Sequence, residues 1–588
     1  MARAPRSLSV HRIALLLWLA VALAALFVYR DAIPALGLRD TDDNLRLVQV
    51  RDLIAGQDWF DVTQYRINPE GGGGLMHWSR FIDMQIAALI ALFGIVLPAE
   101  AAERWAVALY PLLLILPLFL LFARILVRLG DRRQAIAGLL IAATGVTFLH
   151  YFAPLRIDHH NWQLLLSVTM LWLALGEPRV LRGLAAALVI AAHVEISLEG
   201  LPYLAVFGAL FALDWLRDPG TAPRLTGFAA GLLVFPALWL LVFRGTAPFT
   251  AAYCDGFSLP YAAAVAAAAA VLLAGALRFD ASWRLRLAVL ALAGAAGIGT
   301  FLIFGRPCLD GPFGALEPLV RTHWYEMVKE GRPLWEQDAD AAAIFLAPLL
   351  VGLGAALWAW RRARGSAWGD NWTRLLFVLL GGSLLSLTVF RTGAVTHAWL
   401  VPAFGAMALG LWDWSRARRT AIGRVGAAML LLAAIPAVDA WLAGRAVQAM
   451  LPSTPKRSSG QEACPTAAML APLAREPAAL LFAPIDTGPT LLVHTPHSVV
   501  ATGHHRNHAA MNRVIAALIA DPDAAVAIVR ASGARFVVLC ADTAESGNLV
   551  RAHPHGLAAR LSRGEPVAGL SHDAMLSQRN FRVYRVVR

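Results

Sequence analysis

Charge is what this sequence has least of. Asp, Glu, Lys and Arg make up only 15% of its 588 residues, whereas 58% are hydrophobic. Soluble domains carry about 25% charge, so composition excludes a water-soluble globular protein and gives an integral membrane protein. Cysteine is scarce too, confined to Cys254, Cys308, Cys464 and Cys540. Long hydrophobic runs stop at residue 443, and the rest has ordinary globular composition. That part shows no Walker, Rossmann or triad pattern, which leaves it without the signature of an independent enzyme. The net charge of +12 does not indicate nucleic acid, because the arginines cluster in short loops between apolar runs, as they do in loops retained in the cytoplasm.

What is present is a series of apolar runs. Thirteen spans are expected, at 11–29, 104–128, 135–150, 161–175, 183–197, 199–215, 227–243, 259–277, 287–304, 340–360, 374–390, 395–413 and 421–443. The first, ALLLWLAVALAALFVY, follows a basic N-terminus but exceeds a signal-peptide core and lacks a small-residue cleavage site, so it is read as a helix. The run 84–98, MQIAALIALFGIVLP, is too short to cross and is expected to lie in the interface. The chain thus divides into a membrane domain, 1–443, and a soluble domain, 444–588.

Arginine sets the orientation. Arg128, Arg132 and Arg133 share one loop, Arg179 and Arg182 another, Arg361, Arg362 and Arg364 a third, and Arg416, Arg418 and Arg419 a fourth. With thirteen spans all of these fall beside the basic N-terminus, which makes that side the cytoplasm. The loops 30–103, 151–160 and 305–339 and the C-terminal domain then share the opposite side. For a bacterial chain, which the composition suggests, this is the periplasmic face of the inner membrane. All four cysteines fall there. Two disulfides, Cys254–Cys308 and Cys464–Cys540, suit an oxidising compartment, and four small buried thiols satisfy the pattern equally.

Three polar constellations stand out on that face. RDTDDNLRLVQVRDLIAG places Asp40, Asp42 and Asp43 just beyond the first span. RIDHHN brings Arg156, Asp158, His159 and His160 into one short loop. MVKEGRPLWEQ carries Glu330 and Glu336, with Glu326 upstream. Any one of them is an ordinary solvated loop. Together they supply acidic groups from three loops on one face, and hard cations take carboxylate oxygens while imidazole suits borderline metals. A metal held this way neutralises a phosphate leaving group, and Arg156, Arg321 and Arg391 are the candidate phosphate contacts. Glu195 and Glu199, in AAHVEISLEGLPY, are either functional groups at membrane depth or the wet tip of a helical hairpin.

The order and sidedness of these motifs resemble the catalytic subunit of oligosaccharyltransferases, membrane enzymes of the GT-C glycosyltransferase fold. The resemblance covers the whole membrane domain. It implies a polytopic α-helical, GT-C-like protein of about 13 transmembrane helices with a C-terminal periplasmic α/β domain. It implies inverting transfer of a sugar or oligosaccharide from a polyprenyl-phosphate or -pyrophosphate donor, dependent on a divalent metal, Mg2+ or Mn2+. Carried onto this sequence, Asp42 is the first metal-binding or acceptor-activating aspartate, Asp158 the second ligand and Glu330 the loop glutamate that completes the site. Asp40, Asp43, His159 and His160 are alternative ligands. Arg391, in FRTGAVTHAWLVP, lies near the family's arginine at the start of a late span.

The resemblance fails at one place. The family reads its acceptor sequon with a WWDYG motif, and the corresponding stretch here is FAPIDTGPTLLVHTPHSVVATGHHRN. Asp486 and Gly488 keep the D-x-G spacing, but Pro484 and Ile485 stand where tryptophans would. That argues against protein N-glycosylation and leaves the donor chemistry untouched, so the expected acceptor is an envelope lipid or polysaccharide before a protein. Around it, ARFVVLC and FRVYRVV read as buried strands, and NHAAMNRVIAALIA and DAAVAIVRAS as amphipathic helices. The histidine run GHHRNH (His504, His505, His508) is a metal or phosphate ligand set or a solvated turn. A transporter, flippase or polymerase of lipid-linked glycans is the alternative reading, and a transport path needs polar residues spread through the membrane.

Overall fold

The computed structural model describes residues 8–278, 282–451 and 464–587. The extreme basic N-terminus and the 452–463 stretch of the domain junction lie outside them. Helix α1 (Val10–Val28) leads into an external segment with α2 (Thr41–Ile54), a hairpin of β1 (Thr63–Gln64) and β2 (Gly74–Leu75), and α3 (Arg80–Gly94). Then come α4 (Ala99–Leu126), α5 (Arg132–Ala142), α6 (Val146–Leu149), α7 (His160–Ala174), α8 (Val180–Ile196), α9 (Gly200–Arg217), α10 (Ala222–Arg244), α11 (Leu259–Arg278) and α12 (Trp283–Phe304). A second external segment carries α13 (Pro318–His323). The series ends with α14 (Ala339–Ala363), α15 (Gly369–Thr388), α16 (Gly393–Trp399), α17 (Val401–Arg416), α18 (Ala421–Met429) and α19 (Pro436–Met450).

Every expected span falls on a helix, but not every helix is a simple crossing. Among the described residues, seven helices are long and apolar enough to cross a membrane alone, and bent pairs raise the number to ten. Helix α4 is the longest, at 28 residues, or about 42 Å, well beyond the ~30 Å hydrocarbon core. Helix α12 is apolar on all sides and leaves Leu292, Ile298 and Ile303 exposed, as a lipid-facing helix does. The expected spans 161–175 and 183–197 correspond to α7 and α8, of 15 and 17 residues. The span 374–390 is α15, which opens on the polar GDNWTR. At 421–443 the chain bends by 87° between α18 and α19. Pro436 starts α19 there and supplies no backbone N–H to continue the preceding helix. The run 84–98 overlaps α3, a 15-residue helix laid against α4, consistent with a non-crossing role.

Two glycines permit the tightest helix contact. A Cβ on Gly183 of α8 would stand 2.1 Å from the Arg224 carbonyl, and one on Gly227 of α10 2.1 Å from the Val180 carbonyl. Small residues let membrane helices approach backbone to backbone.

The C-terminal domain has α20 (Ala467–Leu470), β3 (Leu480–Phe482), α21 (Gly488–His494), β4 (Ser498–Val499), α22 (His508–Ile519), α23 (Pro522–Ala531), β5 (Phe536–Cys540), α24 (Ala544–Ala552), α25 (Leu557–Arg563), β6 (Leu570–His572) and β7 (Phe581–Val586). Its sheet has the order β4-β3-β5-β7-β6, with β3 parallel to β4 and β5 and the β5–β7 and β7–β6 pairs antiparallel. The central strand FVVLC is buried throughout. Because side chains alternate, Val537 and Leu539 join the core beneath α22, α23 and α25, while Phe536, Val538 and Cys540 join a core continuous with the membrane domain.

That continuity fixes the domain on the face carrying the three acidic loops. Ile67 of the first external segment pairs with Val499, Asn68 N–H donates to the Val499 carbonyl at 2.8 Å, and Val499 N–H to the Arg66 carbonyl at 2.9 Å. The membrane domain thereby extends the soluble sheet. Arg51 and Arg66 donate to the Val493 and Leu492 carbonyls at 2.6 and 2.7 Å, which satisfies orphan carbonyls at the end of α21. Both cysteine pairs are disulfides, Cys254–Cys308 and Cys464–Cys540.

Candidate active site

The three aspartates of the opening motif part company once α2 forms. Asp40 is the N-cap: its Oδ1 accepts the Asp42 N–H at 3.1 Å, as short polar side chains do at helix starts. Its Oδ2 pairs with Arg156 at 2.8 Å. Asp43 is fully buried, and its Oδ1 accepts the backbone N–H groups of Ile157 and Asp158 at 2.8 and 3.0 Å while Oδ2 lies 3.2 Å from Arg156. Burial raises its pKa to about 7, against the pull of Arg156. Asp40 and Asp43 thus hold the second acidic loop onto α2. Only Asp42 is left facing inward with no ion-pair partner for its carboxylate among the described residues. Burial pushes its pKa well above the usual range, and Asp158, Asp40, Glu330 and Asp43 push it further.

Asp158 has the opposite electrostatics. Burial works against its charge, but His159, His160 and Arg46 outweigh that and hold its pKa well below normal. His159 Nδ1 contacts one carboxylate oxygen, and His160 Nε2 lies 3.2 Å from the other. The three side chains bring one ligand-type atom each within 4.8 Å of one another. His160 opens α7, and its Nδ1 meets Gln163 Oε1 at 2.8 Å. Gln163 in turn donates to Glu199 at 3.0 Å.

Glu330 comes from the third loop, on a single helical turn at Lys329–Gly331. Its Oε1 is 3.2 Å from Arg391 Nη1, and Arg391 also contacts Glu199. Glu330 lies close enough to Asp42 to raise its pKa. Arg391, Glu199, His160, Gln163, Tyr151 and Tyr203 line a cleft of about 290 Å³, counted to its open mouth. Glu199 is held there by its pairing with Arg391 and the hydrogen bond it accepts from Gln163.

The structure therefore brings Asp42, Asp158, Glu330, His159, His160, Arg156 and Arg391 to one face. Arg156 does not stand free for a phosphate, because it bridges Asp40 and Asp43. Arg321 is placed elsewhere: on α13 it donates to the Phe313 carbonyl at 3.0 Å and lies over Tyr325, against the C-terminal domain. Of the two intramembrane candidates, Glu199 lines the cleft. Glu195 is buried between Ser79 Oγ at 2.6 Å and Arg244 Nε at 3.0 Å and ties the first external segment to α8 and α10. Asp486, the aspartate of the divergent D-x-G segment, was not an expected site residue. Burial by the surrounding protein, with Asp40 nearby, raises its pKa to about 6. Its retained spacing in the sequence was the signal. Buried Glu545 fixes that turn, accepting the N–H groups of Ile485 and Asp486, each at 2.9 Å.

The chain, with a long first external segment, acidic motifs after the first and before the seventh helix, and a soluble domain packed on the same face, shares the fold of a solved archaeal oligosaccharyltransferase. Among solved structures, the archaeal oligosaccharyltransferase AglB from Archaeoglobus fulgidus, in complex with an inhibitory peptide and a dolichol-phosphate, matches over 98% of this chain and 74% of its own. The TM-score is 0.64 at 14% identity. The same enzyme in the apo form matches 89% of this chain and 69% of its own, with TM-score 0.59 and 16% identity. Its complex with Zn and sulfate matches 97% and 73%, with TM-score 0.59 and 14% identity. No protein-family model matches the sequence, and no curated relative does. The chain is a multi-pass membrane protein of this fold.

Proposed function

We propose that the chain is a glycosyltransferase that moves a sugar or oligosaccharide from a polyprenyl-phosphate or -pyrophosphate donor to an envelope acceptor. The observation that carries this reading is Asp42. Its carboxyl has no ion-pair partner among the described residues, and burial, with four neighbouring carboxylates from this and two other loops, raises its pKa. Evolving such repulsion is destabilising unless a cation or a transferable proton relieves it. The solved oligosaccharyltransferase complexes with dolichol-phosphate and with Zn and sulfate support the same reading.

The donor set fits a divalent metal. Asp42, Asp158 and Glu330 would hold Mg2+ or Mn2+, with His159 and His160 able to shift from Asp158 to a borderline ion, and the metal would offset the charge of the donor phosphate. The remaining roles belong to the chain. Asp42, with its raised pKa, orients the acceptor hydroxyl and accepts its proton as the single, inverting displacement proceeds. Arg391 pairs through its terminal nitrogens with Glu199 and Glu330 but keeps Nε without a hydrogen-bond partner, which leaves that donor for the departing phosphate. Tyr151 and Tyr203 wall the cleft against water. Asp486, on the soluble domain above Asp40, stands on the acceptor side, where the missing tryptophans favour a lipid or polysaccharide over a protein.

The two disulfides support an oxidising compartment on the site's face, hence a periplasmic site in a bacterial inner membrane with the N-terminus cytoplasmic. The test is direct. Asp42, Asp158 and Glu330 are replaced singly by alanine in isolated membranes, and sugar transfer from a synthetic polyprenyl-linked donor is measured. Loss in each supports the reading, and near wild-type transfer in all three refutes it.

A further inference from the structure

The histidine run of the soluble domain gains a third imidazole from the membrane domain. His77, between β2 and α3, places Nδ1 2.9 Å from His504 Nε2. The ring of His505 lies 4.8 Å from that of His77 and 4.8 Å from that of His504. One ligand-type nitrogen from each of the three lies within 4.8 Å of the other two.

Two further observations point to a ligand. His505 has its outer nitrogen fixed, with Nε2 2.7 Å from Asp255 Oδ2. A histidine oriented by a carboxylate on its far side, with the other nitrogen turned to a centre, is the arrangement of metal-bound imidazoles. His504 is only 4% exposed, and its Nδ1 has no hydrogen-bond partner. A buried polar atom left unsatisfied needs an explanation, and among the described residues the one hydrogen bond of the His504 side chain is to another imidazole. The neighbouring cation does not oppose a metal, because Arg506 is engaged by the same Asp255 at 2.6 and 2.9 Å. Trp78 stands edge-on to His504 and Phe313 edge-on to His505, so the cluster has apolar walls.

We propose that His77, His504 and His505 form a binding site for a borderline divalent transition-metal ion of the Zn2+ type, which clasps the soluble domain to the membrane domain, with Asp255 positioning His505. Neutral imidazoles suit such ions, and three protein ligands leave a fourth position for water. His77 comes from the first external segment, Asp255 from the loop after α10, and His504 and His505 from the soluble domain. One ion therefore joins three segments at the seam. The site is separate from the acidic cleft and does not depend on the function proposed for it.

The test uses the full chain in detergent, stripped with chelator and titrated with Co2+, whose visible bands report nitrogen coordination, and with Zn2+ followed by thermal melting. Wild type is expected to bind one equivalent more than the His504→Ala/His505→Ala variant, and added Zn2+ is expected to raise its Tm and not the variant's. Asp42→Asn/Asp158→Asn/Glu330→Gln, which removes the acidic ligands, is expected to keep the histidine-bound equivalent. Should the double variant fail to fold, Asp255→Asn serves: it is expected to weaken Co2+ binding by roughly 10–100-fold while keeping the spectrum. Equal Co2+ binding by wild type and the histidine variant, or unchanged affinity in Asp255→Asn, overturns the proposal.

Discussion

The acidic cleft and the histidine seam are built alike and balanced differently. Each gathers ionisable side chains from segments far apart in the chain, on the same face of the membrane domain. At the seam the charges are matched, Arg506 with Asp255 and Arg244 with Glu195, and His508 Nδ1 lies 2.7 Å from Glu317 Oε2. At the acidic site a surplus remains, because Asp42 sits near four carboxylates with no ion-pair partner among the described residues. Matched charge is what attachment requires, since a buried unpaired ion is expensive. An unmatched charge held in place by the fold marks where something else binds or reacts.

The sharpest way to break this contrast is to remove charge from each side and see which property fails. Asp158→Ala should lower transfer by about 10²–10⁴-fold while the melting temperature changes little, read by turnover and thermal melting on one preparation. Arg244→Ala should do the reverse. It leaves Glu195 buried without its partner, so the fold should lose about 3–5 kcal/mol, seen as a large drop in Tm. Arg391→Ala should cost the cleft about 10–100-fold in transfer, the size of a lost charge-assisted contact, with partial recovery in Arg391→Lys. Arg66→Ala removes three carbonyl contacts between the domains, to Leu492, Thr495 and His497, and should destabilise by about 1–2 kcal/mol.

The smallest effect has the most telling sign. A carboxyl whose folded pKa is raised binds its proton more tightly in the folded state, so stability falls as pH climbs above the ordinary carboxylate range. Without metal, Asp42→Asn should therefore melt a few degrees higher than wild type at neutral pH. The two should converge at pH values below the ordinary carboxylate range.

Much of this architecture was legible in the chain. All the apolar runs are helices, because a run of that length has few other ways to satisfy its backbone in lipid. The register of the first motif was not legible. Asp40, Asp42 and Asp43 look equivalent in RDTDDN, and only the helix geometry makes Asp40 a cap, sends Asp43 under the 156–158 loop and leaves Asp42 free. Arg156 looked like a phosphate contact for the same reason, since nothing local reveals that it bridges Asp40 and Asp43. The 87° bend at Pro436 hides inside a run that is apolar on both sides of the proline. The histidine cluster was half visible: His504 and His505 stand out, but His77 is 427 residues from His504, and only the docking of the two domains joins them.

The central claim is that three acidic motifs form one metal-dependent transfer site. It is tested most directly in chelator-washed membranes by sugar transfer from a polyprenyl-linked donor, before and after Mn2+ is restored. Wild type is expected to lose transfer on washing and regain it with Mn2+, while Asp42→Ala and Asp158→Ala regain none. Transfer that survives chelation, or a wild-type response to Mn2+ in both variants, would contradict it.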